Sequence, residues 1–566
     1  MTTKSYWQQF ERQRISRRRV LAVGGAGAAG LAVVAACGGG KKGPVSGTSK
    51  TPSGKPRAGG TYKRAITGDW GTLDPLTSVA FGPGILAEMY NGLAIRSTRK
   101  PDQFYLDLAE SYEQPDEATY NFAIKPGVKI APNSLGIPER DMDATDCEAW
   151  LKAITGAPTA VAKRFTNVWL DSYKATSPQQ FQIKTKGPYA YFFYTLNVPL
   201  GGMIPPKEFF EQNLDMKAQG VGAGPYVLRQ GTFAETGGAT LDHNPNYYRK
   251  DDQNGNAQLP YIQSREVSRI SDRQPRRTAF LAKQIHEYDP ETRKEVDDLK
   301  GQISDLEVFE DPAFTFIGFT MNPTRAPWDD ERVRMAANFA LNRQEFVDII
   351  VNGDGKPDGL VHWSLGDFAL SQEELQKLQP FDSDKSKQLI KDAGHDLPLK
   401  IKVMYPSNSD IQFHSKHLPI WLKQMKAAGF DIEEEPLDFT GWLARYQAVD
   451  YDASLSLNQI YETPEVNLDF HGAKGPTNDG NFAIGIGKLY PEVEQAIQDS
   501  KSTTNAEEQV KRVLDTQRLI YKKGPAFLPI MTWTDFTVRH SLVKNWPTGL
   551  GTAYELYQDT YAWLDV

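Results

Sequence analysis

Cysteine is scarce in this chain: two residues in 566, Cys37 and Cys147. Stability must therefore rest on core size rather than on a disulfide framework, and this length permits a large core. Histidine is also rare, eight in all, and only His414 and His417 fall within one helical turn. With Lys416 between them and no thiol or carboxylate at ligand spacing, they read as solvated surface rather than a metal site. There is no G-x-S-x-G elbow, no H-E-x-x-H pair and no phosphate-cradling glycine loop before a helix. No basic stripe with interleaved aromatics follows residue 36. The first 36 residues hold six Lys/Arg and one Asp/Glu, leaving 58 basic against 70 acidic residues in the body. Such a body repels phosphate backbones, which sets nucleic acid aside as a partner.

What is present is the composition of an ordered protein, 40% hydrophobic and 24% charged, long enough for two or three lobes. Residues 1–36 read as a signal peptide. Ser16-Arg17-Arg18-Arg19-Val20-Leu21 resembles a twin-arginine export signal, and the apolar, Gly-rich run Val20–Ala36 is too short for a comfortable permanent span. The run ends in Val34-Ala35-Ala36-Cys37-Gly38, which resembles a bacterial lipobox, so Cys37 is the expected lipidation site. Several acyl chains, at about 0.8 kcal/mol per buried CH₂, hold a protein stably on a membrane. Residues 37–60, rich in Gly, Ser, Thr, Pro and Lys, cannot build a core and are expected to form a flexible tether. Cys147 then remains as a lone thiol at a helix start, read as a small buried hydrophobe.

Strand and helix patterns alternate through the body, predicting α/β or α+β lobes. Gly60–Ile66 alternates apolar and polar residues as a half-buried strand does. The spacing predicts a helix over 329–341, capped by Asp329 or Asp330, with Val333, Ala336, Ala337 and Ala340 inward. A second helix follows with Phe346, Ile349 and Ile350 inward and stops at Asn352-Gly353. Others are expected over 419–428, ended by Gly429, and over 507–521. Glu433-Glu434-Glu435 reads as a solvated face. The aromatic run Pro188–Leu196 reads as packed core before it reads as a ligand box.

A series of short motifs, in order, carries a resemblance. They are Leu73-Asp74-Pro75, Met89-Tyr90-Asn91-Gly92-Leu93, Tyr120–Lys129, Gly222-Ala223-Gly224-Pro225-Tyr226 and His243–Tyr248. Pro327–Arg334 with Leu341-Asn342-Arg343, and then Phe381–Gly394, complete the series. Together they resemble the extracytoplasmic solute-binding proteins of family 5, the peptide and nickel class of ABC importer. The resemblance covers nearly all of residues 60–540. It implies a periplasmic-binding-protein-like fold: two large lobes joined by a two-stranded hinge near residues 325 and 535, plus a smaller inserted lobe. Lobe I is expected to comprise 61–95, 196–324 and 535–566, the inserted lobe 96–195 and lobe III 325–534. The implied role is capture of a small solute, a short peptide first, in the interlobe cleft without chemical change. The implied partners are ABC permease and ATPase subunits, with the chain a monomer held to the membrane by its lipid and needing no cofactor.

In peptide-binding members an aspartate just after a tryptophan neutralises the ligand's amino terminus. Here the tryptophan position falls on Asn458 and the aspartate position on Tyr461, with Glu462 beside it. A one-residue shift would give Glu462 that role; without it the ammonium clamp is missing. Asp69 and Trp70 stand where family members line the cleft, and Trp442 resembles an aromatic covering the pocket from lobe III. An oligosaccharide, a nickel chelate or haem remain alternative solutes, and a hydrolase or a sensory surface protein remain alternatives of other classes.

Overall fold

Alternation of side chains in Thr61–Ile66 produces the expected strand, with Tyr62 and Ile66 buried. The structure, a computed structural model, describes residues 54–566 except 69–70, 78–81, 97–103, 158–164, 197–201, 235–236, 314, 408–411, 460–462, 474–484, 504 and 547–559. The signal-like segment, Cys37 and most of the tether lie outside the described residues. Among the described residues no helix is long and apolar enough to cross a membrane.

Three sheets organise the chain. In the first, Thr61–Ile66 lies parallel to Ser264–Arg269, followed by Ala239–His243 and Tyr226–Leu228. The second is an antiparallel sheet of Ala109–Asp116, Thr119–Ile124, Gln180–Thr185 and Leu170–Ser177. Helix Ala144–Gly156 packs on it, its start fixed by a capping box between Asp143 and Asp146. Cys147 is buried in this core, as expected, and burial pushes its thiol well above the usual range. The run Pro188–Leu196 also packs here, Phe192 stacking on Tyr120 at 3.8 Å.

The third sheet has eight strands and is built around Phe527–His540. The second half of that strand pairs with Leu306–Pro312, and its first half with Thr315–Met321. Ala313 N–H donates to the Trp533 carbonyl at 2.9 Å where the two halves meet. Leu306 and Val308 pack with the core of Phe280, Tyr288 and Val538, whereas Ile317, Phe319 and Leu528 belong to a separate core around Trp421 and Phe430, so the paired strands run from one core into another. Beyond them come Ala453–Gln459, Leu399–Pro406 and Phe430–Leu437, the last three mutually parallel.

Local expectations are met where short-range rules dominate. Asp330 accepts from Arg332 N and caps helix Glu331–Phe339, whose Val333, Ala336 and Ala337 are buried, as is Ala340 at its C-cap. Helix Arg343–Val351 ends at Asn352 in the left-handed region, but Ile349 is 58% exposed and Val347 is buried instead. The inward stripe is therefore 346, 347 and 350, one step round the helix from the expected face. The helix expected from Pro419 begins at Gln412 and carries Pro419 inside it. His417 is buried and stacks on Phe346 at 5.9 Å, which corrects its reading as solvated surface; the His414 side chain lies outside the description.

The motifs behind the resemblance are mostly structural. A Cβ on Gly222 or Gly224 would stand 2.2 Å from the Met89 carbonyl oxygen or 2.5 Å from its carbon, so only glycine fits. Asn244 then ties this turn down, its Nδ2 donating to the Gly224 carbonyl at 2.8 Å. Arg334 is buried and donates to the carbonyls of Trp328, Lys523 and Gly524. Arg343 donates to Pro529 O and Asn338, and burial lowers it to about 10.

Candidate functional site

Because Leu399–Pro406 is parallel to both Phe430–Leu437 and Ala453–Gln459, all three strands end on one edge of the sheet. In open α/β sheets ligands bind outside this carboxyl edge, where loops leave and helices begin. After Leu437, Asp438 caps helix Phe439–Gln447 by accepting Gly441 N at 2.8 Å. After Gln459 the chain enters the short helix Pro464–Asp469, every residue of which is buried.

Of the residues chosen from the sequence, the structure brings Asn458 and Trp442 to this region. Asn458 is the penultimate residue of its strand, paired with Phe316. Trp442 is 3% exposed: its Nε1 donates to Ser454 Oγ at 3.0 Å and its ring stacks on Tyr446 at 5.1 Å, which stacks on Tyr451. The row of rings starts at Phe439, 41% exposed and 5.7 Å from Trp442. Phe439 is thus the aromatic that this helix presents outward. Asp69, Trp70, Tyr461 and Glu462 lie outside the described residues; Asp69 and Trp70 follow the strand Thr61–Ile66.

A second body meets the same region. Tyr189 Oη, from the small antiparallel lobe, donates to Glu465 Oε1 at 2.7 Å, and both residues are buried. Next to it Ala190 N–H donates to the Lys501 carbonyl at 2.9 Å, while Lys501 Nζ pairs with Asp469 in a buried ion pair. Glu465 and Asp469 stand four apart on Pro464–Asp469, so each carboxylate there has a donor from outside its own helix. Burial, and then the charge of Glu465, push the Tyr191 phenol well above its ordinary range. Sequence reasoning missed Glu465, Asp469 and Lys501. The available signal was Thr463-Pro464-Glu465, a proline at a helix start with an acid in the first turn. Nothing local discloses that the acid is buried against a tyrosine 276 residues away. Among the described residues no group of three or more His, Cys, Asp or Glu could hold a metal ion.

Residues 103–480, about two thirds of the chain, match the model of bacterial extracellular solute-binding proteins, family 5 Middle. The chain belongs to that family. Among curated relatives, the glutathione-binding protein GsiB of Salmonella paratyphi A is 26% identical over 336 residues. The matched segment covers 58% of this chain and 61% of GsiB, so the chain spans about three fifths of that relative's length. Two solved family-like structures share the fold at 17% identity, each covering 90% of this chain and 99% of the other. One is the periplasmic binding protein DppA of Helicobacter pylori in complex with the peptide STSA, at a TM-score of 0.73. The other is AgaA from A. tumefacien R10 in complex with agropinic acid, at 0.72. Family 5 members are transport binding proteins, and the mixed α/β fold read from the sequence is the fold observed.

Proposed function

We propose that this chain is the solute-capturing subunit of an ABC importer, taking a small solute, a short peptide first, between its two bodies. The observation that carries this reading is that strands Leu306–Pro312 and Thr315–Met321 both pair along Phe527–His540, between bodies that meet again at Tyr189 and Glu465. Closure about paired strands can bury a solute over the sheet's carboxyl edge without any chemical step. In this reading the hinge lies where Ala313 meets Trp533. Lobe III follows it to about residue 533, and the small lobe 96–195 is inserted into the first. Asn458, Asp69, Trp70, Tyr461 and Glu462 form the proposed solute contacts, with the outward-facing Phe439 taking the place expected of Trp442, which is buried on Ser454. Cys37 is the proposed lipid attachment after a twin-arginine-type signal peptide, holding a monomer outside the cell for permease and ATPase subunits.

A thermal-shift screen of residues 54–566 with di- to hexapeptides, glutathione, oligosaccharides, nickel chelates and haem tests the solute. A ligand at 100 times its Kd adds about 2.7 kcal/mol. Stabilisation by peptides that weakens on acetylating their amino end supports a carboxylate clamp such as Glu462. A second reading, the same transport role with a non-peptide solute, is favoured by Tyr461 standing where the family's aspartate is expected. Stabilisation only by a sugar or a metal complex selects it. For the anchor, a Cys37→Ala variant that stays bound to membranes as firmly as the parent overturns lipidation.

A further inference from the structure

We propose that Tyr189 and Glu465 form a clasp that biases the two bodies toward the closed arrangement before a solute arrives. The small lobe reaches the third sheet's helices at a place separate from the crossing strands. There it makes a directed contact: a neutral phenol donating to a buried carboxylate at 2.7 Å. Hydrogen bonds to charged groups are stronger than neutral ones, and a buried carboxylate that loses a donor bears a desolvation penalty. Ala190 N–H on the Lys501 carbonyl, at 2.9 Å, makes the contact two-pronged and fixes the angle at which the small lobe sits. The receiving surface is itself braced, because Lys501 is held by Asp469 from the same buried helix as Glu465. The Tyr189 ring is anchored on its own side by Trp169, parallel within 6° at 6.1 Å. Each half of the clasp is therefore held within its own body, and the Tyr189–Glu465 and Ala190–Lys501 bonds are among those that must break when the bodies part.

A clasp of this kind sets the fraction of closed molecules, and so scales the apparent affinity for any solute. Losing one hydrogen bond to a charged acceptor lowers the closed-to-open ratio by about tenfold.

The inference rests on the solute-capture reading, but its test needs no solute and fails separately. Amide hydrogen exchange is measured on the full chain and on Tyr189→Phe, which keeps the ring and its packing. In the parent, the Ala190 amide is protected. In Tyr189→Phe, its exchange accelerates about tenfold, while the Thr185 amide, bonded to Ala118 O within the small lobe, keeps its rate. Glu465→Gln, which retains an accepting oxygen, shows a smaller acceleration. An unprotected Ala190 in the parent overturns the clasp, as does an Ala190 rate unchanged by Tyr189→Phe. Equal loss at Ala190 and Thr185 overturns it too, since that marks general loosening of the small lobe.

Discussion

Arg293 bridges the crossing strands through Asp354: its Nε donates to Asp354 Oδ1 at 2.7 Å while its two terminal nitrogens hold Glu310 at 2.8 and 3.0 Å. Glu310 belongs to Leu306–Pro312 on one side of the crossing, and Asp354 precedes Gly355–Pro357, paired with the other half of Phe527–His540. The Asp354 carbonyl also accepts from Thr534 N. One planar cation thus spans the place where the bodies join, a task for which the arginine fork is suited and a lysine is not.

Arg293→Ala is expected to lower stability by about 1 kcal/mol, since the guanidinium is part-exposed and screened. Arg293→Lys is expected to recover less than half of that. Urea unfolding of the three proteins measures both. An unchanged midpoint for Arg293→Ala would show that the bridge contributes nothing.

Stability against pH should pass through a maximum between about pH 6 and 7. Burial lowers His286 to about 4 and both His362 and His471 to about 3. Their unfolded pKa is about 6.5, so the stability that they contribute is present above that value and is lost as pH falls below it. Asp358 acts in the opposite direction. Burial raises its carboxyl to about 7 despite the Thr532 hydroxyl and the Gly359 amide that donate to it. Its contribution is complete below about pH 4 and is lost as pH rises through 7. Asp358→Asn should therefore raise Tm at pH 8 more than at pH 5, and His471→Gln should flatten the acid limb. Melting curves from pH 4.5 to 8.5 decide both; an Asp358→Asn effect independent of pH contradicts the assignment.

Trp442 and Phe439 sit on one helix and should behave differently. Trp442→Phe removes the bond to Ser454 and part of a buried stack, at a cost of about 1–3 kcal/mol. Phe439→Ala should leave Tm nearly unchanged and weaken solute binding severalfold. Paired melting and titration experiments, with whichever solute the thermal-shift screen identifies, test the contrast. A large Tm loss in Phe439→Ala would place that ring in the core.

Gly224→Ala should destabilise by more than 2 kcal/mol, because the new methyl meets backbone atoms of Glu88 and Met89, which cannot rotate aside. Gly127→Ala, at φ 80° with open space around it, should cost only about 1 kcal/mol. Denaturation midpoints compare the two, and equal costs would show that the backbone around position 224 gives way to admit the methyl.

The sequence by itself determined the elements governed by neighbours in the chain. Asp330 caps its helix, Gly429 ends one, and Thr61–Ile66 is a strand, because capping, turn conformation and alternation act over a few residues. The order of motifs pointed to the family, since Gly222, Gly224, Asn244, Arg334 and Arg343 serve close packing and carbonyl satisfaction that the fold requires. Tertiary structure alone decided the rest. It turned Val347 rather than Ile349 inward and buried His417 against Phe346, both choices made by what lies across the helix. It set the Trp442 indole on Ser454 and left Phe439 outward. It also joined Tyr189 to Glu465, because a buried charge finds its partner through the packing of lobes, and no local pattern encodes a contact 276 residues long.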